Sequence, residues 1–200
     1  MGNSSRLPWR PPAGAAATSA RSGENASYPY LRCDMKDYSQ LLNGHPELQR
    51  KSIIGLGEAG ITEAIPFLKD LLRTQNSRLR DAAALSLSEM GVQEAVPAIM
   101  DLILHPDNEG NRGSLIFSLW KLECIDYFQE FVNIVCYGNY ESRHNALELV
   151  QQYRYRISPD VRRSALATLQ GKRVLAETED DAEREVAFLE YVEALLMDFE

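Results

Sequence analysis

Residues 49–72, QRKSIIGLGEAGITEAIPFLKDLL, are written again as residues 80–103, RDAAALSLSEMGVQEAVPAIMDLI, at an offset of 31 with no gap. Eight of the 24 aligned positions are identical: Leu56/Leu87, Glu58/Glu89, Gly60/Gly91, Glu63/Glu94, Ala64/Ala95, Pro66/Pro97, Asp70/Asp101 and Leu71/Leu102. Five more exchange one aliphatic side chain for another, as in Ile65/Val96. Self-similarity at this period is the mark of a supersecondary unit stacked on copies of itself, since one unit alone cannot bury its apolar face.

Punctuation inside the repeat says what the unit is. Gly60 and Gly91 stand where a helix stops. Glu63 and Glu94 favour the start of the next helix. Pro66 and Pro97 fall in its first turn, where a missing N–H costs little. Polar breakers follow at Thr74–Ser77 and His105–Asn111. The unit is a helix pair, and the predicted fold is all-α: an α-solenoid of antiparallel helix pairs.

Two degenerate copies extend the array. Arg80, Arg112 and Arg143 open successive helices at spacings of 32 and 31. The third copy covers residues 112–135, with Phe128, Phe131, Ile134 and Val135 on the apolar positions of Val96, Ile99, Leu102 and Ile103. The fourth begins RHNALELVQQY at residue 143, and Ser158-Pro159 starts its second helix. A partial copy, residues 35–49, supplies the leading helix. Residues 181–199 form an acidic capping helix whose apolar line is Val186, Leu189, Val192, Leu196 and Phe199. This amounts to about ten helices in five pairs over residues 34–200.

Residues 1–33 differ in kind. They are rich in Pro, Gly, Ser, Ala and Arg, carry no hydrophobic period, and read as a disordered tail. The stretch PPAGAAATSA is too polar for a secretory core, and Arg6 occupies the position where a myristoylation signal needs Ser or Thr. Its Arg- and Ser-rich, acid-poor composition is shared with transit peptides. Asn25-Ala26-Ser27 is a glycosylation triplet, which matters only in a secreted protein.

Charge and cysteines narrow the function classes. The net charge is −8, with +3 in residues 1–33, −9 in residues 176–200 and a nearly balanced middle. An acidic chain is a poor general binder of nucleic acid, which needs clustered Lys and Arg. Cys33, Cys124 and Cys136 form no CxxC pair, and an odd count fits a reducing, cytoplasmic setting better than a disulfide framework. No apolar run approaches the ~18 residues of a membrane span.

The pattern Ala64-Ile65-Pro66…Leu71-Leu72, a polar turn, then Leu79-Arg80, Ala83, Leu87 and Gly91 resembles the HEAT repeat, and within it the short repeats of phycobilisome-lyase-type proteins. The resemblance implies a HEAT-like superhelix, with Arg-opened helices on the concave face and Pro-containing helices on the convex one. Tetratricopeptide and ankyrin signatures are absent. So are GxxxxGK[ST], GxSxG, HExxH and EF-hand patterns. Repeated His-Glu pairs hold iron in deoxyhypusine hydroxylase, a helical-repeat enzyme, and this chain has no His-Glu dipeptide. His45 and His105 each precede a proline and read as solvated turn residues. The acids around Asp180-Asp181 read as helix-start charges and not as a cation site. No catalytic residue, metal or cofactor is predicted.

Function must therefore sit on a face. On a helical wheel, Leu79, Ala83, Leu87 and Met90 point one way, and Asp81, Leu85 and Ser88 the other. The equivalent outer positions are Arg50, Ile54 and Gly57 in the first copy, Gly113, Phe117 and Trp120 in the third, and His144, Glu148 and Gln151 in the fourth. Ile54, Leu85, Phe117 and Trp120 thus draw an apolar stripe across three helices. Either these side chains are inter-repeat core, or they line an exposed groove that binds a protein or peptide. With Arg50 and Asp81 they are the candidate partner-binding residues. Accessory or lyase-type handling of a ligand in that groove is the alternative. A further one is nucleic-acid binding through YRYRISPDVRR, residues 153–163, where Arg154, Arg156, Arg162 and Arg163 outnumber Asp160.

Overall fold

The computed structural model describes residues 38–177 and 182–198. The tail predicted over residues 1–33, Cys33, the pair Asp180-Asp181 and Phe199 lie outside the described residues. Those described contain nine α-helices, several short 3₁₀ turns and no strand. The helices are α1 (Pro46–Glu58), α2 (Ile65–Leu71), α3 (Ser77–Glu89), α4 (Val96–Leu104), α5 (Gly113–Phe117), α6 (Phe128–Tyr137), α7 (Tyr140–Tyr153), α8 (Pro159–Ala176) and α9 (Ala182–Met197).

Two layers run along the stack. α1 packs on α3, α3 on α5, and α5 on α7, so the Arg-bearing helices lie side by side. α2 covers α3, and α6 lies against both α7 and α8. α8 in turn carries α9. The fold is an all-α solenoid.

Each helix boundary has a local cause. In α1 the left-handed Gly60 (φ +64) lets its N–H reach Gly57 O, and Ile61 N–H reaches Leu56 O at 3.0 Å. Gly91 (φ +67) repeats this for α3, with Gly91 N–H on Ser88 O and Val92 N–H on Leu87 O, both at 2.9 Å. Both are Schellman closures, and buried Ile61 and Val92 make the apolar contact beyond the turn. Asn76, Asn139 and Ser158 cap α3, α7 and α8 through their side-chain oxygens. His45 and His105, predicted as plain turn residues, also serve as caps: each Nδ1 accepts the backbone N–H two residues on.

Three expectations shift. α3 starts at Ser77 and α7 at Tyr140, so Arg80 and Arg143 lie one turn inside their helices, while Arg112 caps α5. Side-chain caps at Asn76 and Asn139, which an arginine-to-arginine alignment overlooks, set the true starts. Of the partial copy at residues 35–49, the residues described before α1 hold a 3₁₀ turn (Tyr38–Leu42), and α1 begins at Pro46. The described residues hold nine helices where about ten were expected.

Burial follows the repeat. Leu56, Leu87, Leu68 and Ile99 are fully buried, and so are Phe131 and Val135. Contact between α1 and α3 is especially close. A methyl group on Gly57 would lie 2.5 Å from Ser86 Cα. The Ser86 hydroxyl has Ile53 O of α1 at 2.7 Å and its own Ala82 O at 2.8 Å. Gly57 and Ser88, placed by the wheel on the outer face, are therefore buried: small residues let one helix seat against the next.

Candidate interaction face

The third copy breaks the pattern. Gly113 opens α5, but the helix ends after five residues and tightens into a 3₁₀ segment, Ser118–Lys121. Glu123 stands where an alignment at 32 residues puts the glycine of the second copy, so no left-handed turn is available. The chain instead leaves in extended form at Leu122 (φ −106, ψ 148).

Neighbouring copies hold that exit from both sides. Gln93 accepts from the Glu123 N–H at 3.0 Å and donates to the Glu123 carbonyl. Tyr153 of α7, fully buried, accepts from the Cys124 N–H at 3.1 Å and donates to Leu122 O at 3.0 Å. Burial raises the Tyr153 phenol well above its ordinary range, so it stays protonated and can donate. Backbone groups that a helix would have satisfied find these side chains instead.

Phe117 and Trp120 project from this segment. Phe117 is 46% exposed and Trp120 47%. Their rings stack at a centroid separation of 6.2 Å and an interplanar angle of 14°. Lys121 Nζ sits 5.4 Å from the Trp120 centroid and is paired with Glu89 of α3. Leu85 and Ile54 are half-buried, and Ile54 packs against the core. Arg50 and Asp81 are half-buried as well. The two aromatics therefore stand proud, while the aliphatic part of the stripe lies lower.

Asp81 has an unusual environment. Burial pushes its carboxyl up to about 6, against opposing attractions from Arg80 and Arg50 and a reinforcing repulsion from Glu141. At the equivalent place in the third copy Gly113 has no side chain, and the Glu141 side chain of α7 folds over it. A carboxylate thus occupies this level in both copies, from different helices.

The four arginines of residues 153–163 do not form a shared exposed patch. Arg162 is buried and donates to Leu196 O and to Arg154 O at 2.6 Å. Arg154 reaches Leu195 O and stacks on Tyr155 at 4.4 Å. Together they satisfy the final carbonyls of α9, a role the sequence pattern gave no means to see. Arg156 pairs with Glu123, and Arg163 with Asp160.

Cys124 and Cys136 are buried, and burial pushes both thiols up to about 11, so they are neutral and unreactive. Among the described residues no group of three His, Cys, Asp or Glu is placed to hold a metal. No described helix is long and apolar enough to cross a membrane.

These features define the class: a helical-repeat solenoid with an aromatic outcrop on its Arg-layer. Residues 38–120 match a family model described as HEAT repeats, which supports a HEAT-repeat family for this chain. No curated protein matches the chain.

Proposed function

We propose that this protein is a non-catalytic, cytoplasmic interaction module, with repeats of the short phycobilisome-lyase type. It offers the Phe117–Trp120 face to a protein or peptide partner. HEAT repeats generally mediate protein–protein interaction and scaffolding, and that is the background to this reading. The observation that carries it is two stacked aromatics, each about half exposed, on a segment braced from both sides. Leaving such rings in water is unfavourable, and rigid aromatic side chains are common anchors at binding hot spots. Ile54 and Leu85 extend the apolar surface, with Arg50 and Asp81 as polar neighbours.

The test is capture of a partner from native lysate by the wild-type protein and by the Phe117→Ser/Trp120→Ser variant. The proposal expects the variant to lose a specific partner while keeping its melting temperature. Equal capture by both proteins would refute it. An absorbance spectrum of the freshly purified protein addresses the ligand-handling alternative, because a bound chromophore would show there.

A further inference from the structure

Between α2 and α4, on the Pro-bearing layer, the stack leaves a groove of about 430 Å³ unfilled. The repeat shows why. Ala98 aligns with Phe67 at the 31-residue offset. In the first copy the Phe67 ring is half-buried and stacks on buried Tyr38, with centroids 5.8 Å apart and planes at 29°. In the second copy Ala98 is exposed and offers no ring, so the matching space against α2 stays open. Buried Leu72 and half-buried Leu102 give it an apolar floor.

Charge is arranged around that floor. Lys69 and Arg73 come from α2 and the turn after it, Glu94 and Asp101 from the turn before α4 and from α4 itself. Apart from His105, the lining thus carries two bases on one wall and two acids on the other. No ion pair closes the groove. Lys69, Glu94 and Asp101 make none with any described residue, and Arg73 has only Asp70, at 3.7 Å on an exposed surface. The repeat offset sets Arg73 level with Leu104, so Arg73 stands about 15 Å past Glu94 along the helix direction, at 1.5 Å per residue. An extended chain places residues i, i+2 and i+4 on one face over about 13 Å.

We propose that this groove docks an extended peptide segment of a partner protein, in which a base, an aromatic residue and an acid stand at alternate positions. The base meets Glu94 and the acid meets Arg73. The ring takes the space that Phe67 fills in the first copy. Asp101 aligns with Asp70, one residue past Lys69, so Lys69 and Asp101 flank the ring and offset each other. A helix, about 10–12 Å across with its side chains, is too thick for a space of this volume. The groove is independent of the Phe117–Trp120 face and stands whether or not that face binds a partner.

The test is fluorescence anisotropy of a fluorescein-labelled peptide, Gly-Lys-Ser-Phe-Ser-Glu-Gly with both ends blocked, titrated with the full chain. The peptide should bind saturably and shift the backbone amides of Ala98 and Leu102 in NMR spectra. Replacing its Phe by Ala should weaken binding roughly 10- to 100-fold, as expected for one buried ring. Replacing its Glu by Lys should weaken binding roughly two- to fivefold, the scale of an exposed ion pair. Arg73→Glu should reverse that preference. Ala98→Trp fills the groove and should abolish binding with an unchanged thermal melt, because residue 98 is exposed. The Phe117→Ser/Trp120→Ser variant should bind the peptide as the wild type does, which separates this groove from the aromatic face. No saturable binding, equal affinity for the Ala peptide, or indifference to Ala98→Trp would each overturn the proposal. So would self-association of the wild type that Ala98→Trp abolishes, since that gives the groove to a second copy.

Discussion

The second and third copies start from the same plan and end differently. In the second, α3 runs 13 residues and closes on the left-handed Gly91. Ser88, its penultimate residue, is 2% exposed. In the third, α5 gives way to a 3₁₀ segment after five residues, and Trp120, aligned with Ser88, is 47% exposed. Ser86 reaches across to Ile53 O, while its counterpart Ser118 turns back to Leu115 O at 2.6 Å. A regular copy spends its small residues on packing against its neighbour. An irregular copy is held by neighbouring side chains and is free to put large residues outside. Departures from the repeat are therefore where a solenoid of this kind acquires a specific surface.

The largest effect should come from the regular copy. Leu87 is fully buried and also supplies the carbonyl that closes the Gly91 turn. Leu87→Ala should cost about 2–5 kcal/mol in denaturant unfolding. A loss below about 1 kcal/mol would mean that the regular copy is no more tightly packed than the irregular one.

Next is Asp81, whose place in the third copy is taken by Glu141. Its folded pKa, about 6, lies above the ordinary 3.8. The native state thus holds a proton that the unfolded chain would release. This contribution is fully present below about pH 3.8 and is lost as pH rises through about 6. Asp81→Asn keeps a neutral side chain there, so it should exceed wild type in stability at pH 7 by up to roughly 3 kcal/mol. The two should converge by pH 4. A gap that does not depend on pH would show that Asp81 is solvated like an ordinary surface acid.

Tyr153→Phe addresses the brace on the irregular exit. Removing the hydroxyl leaves the Cys124 N–H and Leu122 O without their partner, for a cost of about 1–3 kcal/mol. Hydrogen exchange should then accelerate at Cys124 more than at Gly91, whose turn closes on backbone alone. Equal acceleration at both would break the contrast between the two exits.

The smallest change in stability should come from the aromatic outcrop itself. Phe117→Ser with Trp120→Ser should move unfolding by no more than about 0.5 kcal/mol, the scale of ordinary surface substitutions. A loss of about 3 kcal/mol or more would instead assign the rings to the core, as for truncation of a buried aromatic.

Much of the fold was readable from residue order alone. Pro66 and Pro97 mark helix starts, Gly60 and Gly91 mark stops, and the apolar positions between them set which side is buried. Those are local rules: each depends on a backbone conformation or on a side chain within about one helical turn. The choice between core and surface for Phe117 and Trp120 was not readable in this way. A helical wheel assumes that the helix continues, and here it does not. Gln93 and Tyr153, each 29 or 30 residues away along the chain, hold the segment that replaces it. That helix pairs stack at a period near 31 follows from residue order, because periodicity and turn chemistry act locally. Where the array departs from its own pattern follows from packing between copies, because the groups that stabilise the departure come from the neighbouring copies.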